Sequence, residues 1–191
     1  MAGGRKRFRS QLCYGENGGR LCTAVSYAVA HAFLLQCEKD DDVMEFFTED
    51  RIHDIMQNCS RFFSQTPFAE SRLMMSVHDM LHLCPSDGNI QSIEIAGLLL
   101  VQEEGCHHPE VENLWVEPLD ALLRKISSRG SNKIAAVVTT AEHTVAYLSD
   151  GRSRLFLFDP LPAELVPCCP SAPCMTRRRD DEYSGYLFAS I

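Results

Sequence analysis

Residues 22–36, CTAVSYAVAHAFLLQ, constrain the fold most strongly. Val25, Val29, Ala32 and Phe33 recur at helical spacing, and Ala24, Ala28 and Ala30 let neighbours approach closely, so the segment predicts a buried helix. A helix this apolar has to be enclosed by other layers. Acidic residues 40–42 can cap a second helical stretch, in which Val43, Phe46, Phe47, Ile52, Ile55, Met56, Cys59, Phe62 and Phe63 continue one 3.6-residue pattern to Ser64. Pro67 then breaks it. The spacing predicts a third helix over 70–83 with a core stripe of Leu73, Met74, Val77, Met80 and Leu81, and a further one over 117–127 with Leu119, Leu122, Leu123 and Ile126 facing inward. Residues 92–101, SIEIAGLLLV, fit a strand or a short helix equally well.

After Gly130 the character changes. KIAAVVTT (133–140), then EHTVAYLSD, the turn SDGR, RLFLF (154–158) and a final GYLFASI read as strands, and 154–158 forms a hairpin with the strand before it. VPCCPSAPCMTRRRDDE, between the last two strands, reads as a loop. Helices followed by antiparallel strands predict the α+β class.

The 191 residues, 45% of them hydrophobic, suit one domain over 10–191, with 1–9 as a flexible basic tail. A formal net charge of −8 excludes nucleic acid as the main partner. No 18-residue apolar stretch and no apolar signal core is visible, which predicts an intracellular protein with no membrane partner. Nine scattered cysteines read as reduced thiols and not as a disulfide framework. Cys106, His107, His108, Cys168, Cys169 and Cys174 have zinc-like chemistry, but their spacing is not that of a zinc module, so neither metal nor cofactor is expected. His31, His53, His78 and His82 lie on predicted helices and read as exposed or satisfied side chains.

The stretch before the central helix, SQLCYGENGGRLC, carries the chemistry. Cys22 opens the helix, where the positive end of the helix dipole favours a charged nucleophile. A hairpin about SDGR brings the start of one strand, His143, beside the end of the next, Asp159, which supplies a base and a group to orient it. Gln11 is the first choice for the oxyanion donor and Asn17 the second, while Gly15, Gly18 and Gly19 let the loop approach closely and leave room at Gly18 and Gly19 for a thin extended substrate.

Gln, a Gly-rich loop, a Cys opening a helix, then a distant His and Asp on adjacent strands resemble the papain-like cysteine peptidase superfamily, and most nearly the herpesvirus large-tegument-protein deubiquitinases. That viral family keeps a Phe-Asp-Pro-His run where this chain has FDPLP at 158–162, with Leu161 in place of the histidine. The His143-to-Asp159 spacing is instead similar to that of ubiquitin-like-protein peptidases and Josephin-like deubiquitinases, which assigns the base to His143. The resemblance implies a papain-like fold with a central helix, a helical lobe and an antiparallel sheet. It also implies a monomeric thiol hydrolase acting on ubiquitin or a ubiquitin-like modifier, in the cytoplasm, the nucleus or a virion tegument. Two other readings share these residues: an inactive pseudoprotease that binds ubiquitin or another protein, and a glutamine deamidase or transamidase.

Overall fold

The computed structural model describes residues 5–37, 42–71, 73–84, 90–95, 98–103, 133–140, 143–150, 154–161 and 184–190. The apolar segment forms helix α1 (Cys22–Gln36), and residues on every side of it are buried, including Leu21, Val25, Val29, Ala30 and Phe33. At its C-terminal end the Lys133 ammonium donates to the carbonyl oxygens of Phe33 (3.2 Å), Leu34 (2.8 Å) and Cys37. A cation thus satisfies acceptors that a helix end leaves open, and ties α1 to the sheet.

The pattern over 43–64 is two helices, not one: α2 (Val43–Phe46) and α3 (Glu49–Ser64). Thr48 takes extended backbone angles and its hydroxyl accepts the Arg51 N–H at 3.2 Å, which starts α3 afresh. Phe47 stays buried at the junction, so the apolar spacing runs on through a break that periodicity cannot register. Asp42 caps α2, its carboxylate accepting the Met44 N–H at 2.8 Å. Thr48→Ala should lower stability by about 1 kcal/mol through loss of its cap, read from the midpoint of urea unfolding.

Residues 70–83 also depart from a single helix. α4 (Phe68–Ser71) ends early, and α5 (Val77–Leu83) begins at Ser76, whose side chain and backbone form a capping box with Asp79. Leu73 is 62% exposed and Met74 is also exposed, whereas Met75, Val77 and Met80 are buried. The expected core stripe therefore loses its first two members, because the backbone before Ser76 is not helical.

The strands are β1 (Arg5–Arg9), β2 (Ile90–Ile95), β3 (Leu98–Glu103), β4 (Ile134–Thr140), β5 (His143–Ser149), β6 (Leu155–Asp159) and β7 (Ser184–Ser190). They make one antiparallel sheet in the order β1-β7-β6-β5-β4-β3-β2. The ambiguous 92–101 stretch falls on β2 and β3, which pair with each other. Within the expected basic tail, Arg5–Arg9 is not free but adds an edge strand to β7. Alternation buries Phe8 between exposed Arg7 and Arg9, and its ring stacks on Phe158 at 5.2 Å between centroids. One apolar residue in five is a weak strand signal; the open edge of β7 supplies the hydrogen bonds that complete it.

The fold is thus α+β. α1 packs against β4 and β5 on one side and α3 and α5 on the other, and Phe33, Phe47, Phe63, Phe156 and Phe158 fill the space between the layers. No helix among the described residues is long and apolar enough to cross a membrane. The helix expected over 117–127 and the loop expected at 166–182 lie outside the described residues, as do Cys106, His107, His108, Cys168, Cys169 and Cys174.

Candidate active site

The β5–β6 hairpin places Ala146 opposite Phe158 and Ser149 opposite Leu155. Carried on, this register sets Asp159 on the same face as His143 and diagonal to it, within reach of a long side chain. His143 Nε2 lies 3.0 Å from Asp159 Oδ1. Nε2 lacks hydrogen-bond alignment with any acceptor, so the contact is electrostatic, and a rotation of the ring would complete the hydrogen bond. The same Oδ1 accepts the Leu161 N–H at 3.0 Å. Asp159 therefore shapes the turn before Leu161 and faces the imidazole at once, and Leu161 holds the carboxylate through its backbone N–H. Asp159 is almost fully buried and the His143 side chain is 19% exposed. With Nε2 facing the carboxylate, Nδ1 is the nitrogen left to exchange a proton with a nucleophile.

The residues next to Cys22 and His143, and not these two themselves, join α1 to β5. Thr23 Oγ1 and Thr144 Oγ1 are 3.0 Å apart, and Ser26 Oγ donates to the Thr144 carbonyl at 3.1 Å, so the first turn of α1 is fastened to the first turn of β5. The residues preceding these threonines are Cys22 and His143. Alternation turns Thr144 toward α1 and His143 to the other side of the strand, and no thiol–imidazole hydrogen bond joins the two among the described residues. Catalytic hydrogen bonds in free enzymes are often long and close only on substrate binding. Cys22 is 1% exposed, so an incoming carbonyl has to displace what covers the sulfur.

Gln11 sits in the first of two 3-10 turns, Gln11–Cys13 and Gly18–Arg20, which lead directly into α1. Its backbone N–H donates to the Pro160 carbonyl at 3.1 Å, and the Ser10 hydroxyl donates to the same oxygen at 3.2 Å. The residue after Asp159 thereby clasps the segment that carries Gln11. The Gln11 side chain is fully buried, yet neither its Oε1 nor its Nε2 has a hydrogen-bond partner among the described residues. An amide left so costs about 1–3 kcal/mol, and groups of this kind call for a partner from outside the chain. Asn17 is turned away: its Oδ1 accepts from Arg20, which also donates to the carbonyls of Phe68 and Ala69. Leu21, the N-cap of α1, makes no side-chain cap, so the N–H groups of the first turn, Cys22 included, are without a capping side chain.

Gly18 is buried against Gln11, and Gly19 is exposed. Gly15 has φ +85°, a conformation that favours glycine. Tyr14 anchors the loop: its hydroxyl lies 2.8 Å from His53 Nδ1, Gln57 Nε2 lies 2.8 Å from His53 Nε2, and Ser60 donates to the Tyr14 carbonyl. Burial pushes the Tyr14 hydroxyl above its ordinary pKa. Sequence reasoning did not single out Ser10, Tyr14, Thr23 or Thr144. Their signal is a polar side chain next to each candidate site residue, and its meaning depends on partners as distant as 121 and 150 positions.

A cleft of about 870 Å³ lies between α1, α3 and α5, lined by Tyr27, Ala28, Leu35, Ile55, Phe62 and Met80 among others; neither Cys22 nor His143 lines it. This cleft and the chemistry are thus in different places. No cluster of three or more metal-ligating side chains occurs among the described residues.

Comparison of the chain with protein-family models, with curated proteins and with solved structures returns no match. The site therefore rests on its own geometry.

The other thiols divide by burial. Burial, with a smaller contribution from Cys84, pushes the Cys59 thiol from 9.0 up to about 12, and its Sγ donates to the Ala24 carbonyl at 3.5 Å. Cys13 is exposed. Iodoacetamide at pH 8 should modify Cys13 in the folded protein and leave Cys59 untouched until denaturant is added, as peptide mass mapping would show. The unfolded thiol ionises near 9 and the folded one only near 12, so this group's contribution to stability is present below pH 9 and is lost as pH rises toward 12.

Proposed function

We propose that the chain is a papain-like cysteine hydrolase that removes ubiquitin or a ubiquitin-like modifier. The observation that carries this reading is the 3.0 Å contact of His143 with Asp159, at the strand end fastened to the first turn of α1. The modifier itself comes from the resemblance of SQLCYGENGGRLC and FDPLP to the viral deubiquitinases.

This mechanism requires the His143 ring to turn round the start of β5 toward α1; the Cys22 thiol then gives its proton to His143 Nδ1, and the thiolate attacks the carbonyl carbon of a Gly–lysine isopeptide. Negative charge on the carbonyl oxygen is met by the Gln11 Nε2–H and the Cys22 backbone N–H. As the C–N bond breaks, the imidazolium returns the proton to the departing lysine amine, leaving a thioester. Water then gives a proton to His143 and attacks the thioester, and the thiolate leaves. Asp159 stabilises the imidazolium at both stages.

The burial of Cys22 favours a second reading, in which the chain binds a modifier without cleaving it. One experiment separates the two: incubation with ubiquitin and ubiquitin-like modifiers bearing a C-terminal propargylamide. Covalent capture that is abolished in Cys22→Ala supports the hydrolase. Tight binding with no covalent adduct sinks the mechanism and leaves the pseudoenzyme.

A further inference from the structure

Helix α5, VHDMLHL, buries Val77 and Met80 and presents His78 and His82 on its exposed side, one helical turn apart. Their Nε2 atoms are 3.0 Å from each other, with ring centroids 4.5 Å apart and planes nearly perpendicular. At that distance one ring donates a proton and the other accepts it. Which ring donates depends on the tautomer each adopts.

We propose that His78 and His82 form a chelating site for a borderline divalent cation of the Zn²⁺, Ni²⁺ or Cu²⁺ class. A metal 2.0–2.1 Å from each nitrogen, with a ligand–metal–ligand angle between square and tetrahedral, needs the nitrogens about 2.9–3.3 Å apart. The observed 3.0 Å meets that requirement with no backbone movement. Turning the two exposed rings aims both Nε2 lone pairs at one point once the donor ring carries its proton on Nδ1, and the cation takes the place of the hydrogen bond between them.

The helix turn that carries the pair is fixed in advance. Asp79 Oδ2 accepts from the Ser76 backbone N–H at 2.8 Å and from the Ser76 hydroxyl at 2.6 Å, while Ser76 Oγ accepts the Asp79 N–H at 3.2 Å. That capping box commits the Asp79 carboxylate to Ser76, so among the described residues of this helix the donors to the cation are the two imidazoles. Such a donor set suits cations that accept nitrogen, with Cu²⁺ bound most tightly, and does not suit Mg²⁺ or Ca²⁺, which require oxygen. The site is separate from Cys22, and it stands or falls independently of the hydrolase reading.

The test is a titration of the full chain with Ni²⁺, which does not oxidise the thiols, followed by ¹H–¹⁵N NMR. At the lowest Ni²⁺ concentrations the amides of residues 76–84 and the ring signals of both histidines should broaden together, and Mg²⁺ at the same concentration should leave them unchanged. His78→Asn and His82→Asn should each weaken this effect at least tenfold. Both residues are exposed, so the unaltered remainder of the spectrum certifies the fold of each variant. Broadening centred on other residues, or an unchanged titration in either variant, overturns the site.

Discussion

Under the proposed mechanism, His143→Ala is expected to lower turnover of modifier conjugates by roughly 10⁴-fold, because it removes the group proposed to take and return the proton in both half-reactions. The same change leaves the Asp159 carboxylate almost fully buried with the Leu161 N–H as its remaining partner among the described residues, so stability should fall by about 1–3 kcal/mol. Asp159→Asn separates the two effects. The amide oxygen still accepts from Leu161 and the buried charge is gone, so the fold is largely kept, while the amide cannot stabilise the imidazolium and turnover drops by about 10²–10⁴-fold. Urea midpoints read one effect and single-turnover kinetics the other. Undiminished turnover in His143→Ala would falsify the assignment of the base. Parallel loss of stability in both variants with unchanged turnover would mark the pair as structural.

Gly18→Ala carries the second large effect. A Cβ at Gly18 would stand 2.5 Å from the Gln11 carbonyl oxygen, 3.0 Å from Leu12 Cα and 3.1 Å from the Leu12 carbonyl oxygen. All three are backbone atoms, so the turn itself has to move. The expected cost is about 1–3 kcal/mol, and the displaced turn carries Gln11 away from its buried position, so activity falls further than stability accounts for. Gly19→Ala is the control. Its nearest neighbour is the Leu12 Cδ2 at 3.8 Å, an ordinary contact, and stability should change by less than about 0.5 kcal/mol. Thermal midpoints and turnover of the two variants side by side measure the difference. Equal behaviour at 18 and 19 would show that the turn gives way freely and that Gln11 is not held by it.

Much of this arrangement was legible in the residues. The spacing of Val25, Val29 and Phe33 specified α1 from Cys22 to Gln36, and the turn between two β-branched and aromatic runs specified the hairpin that sets His143 against Asp159. Local rules failed where one residue changed the outcome. Thr48 and Ser76 restart helices inside patterns that look continuous, because a capping hydroxyl competes with the helix at a single position while periodicity averages over many.

Other features had no local signal at all. Arg5–Arg9 becomes a strand because β7, nearly two hundred positions later, offers an open edge. The grip of Pro160 on Ser10 and Gln11, the bond between Thr23 and Thr144, and the burial of the Gln11 amide without a partner likewise join residues that the chain holds far apart. By itself the sequence determined the α+β class, the central helix and the identity of the residues with chemical potential, since propensity, periodicity and turn type act over a few neighbours. Tertiary structure alone decided which of those residues meet and which polar groups are left unpaired, because packing one surface against another brings distant side chains within bonding distance and removes the water that would otherwise satisfy them.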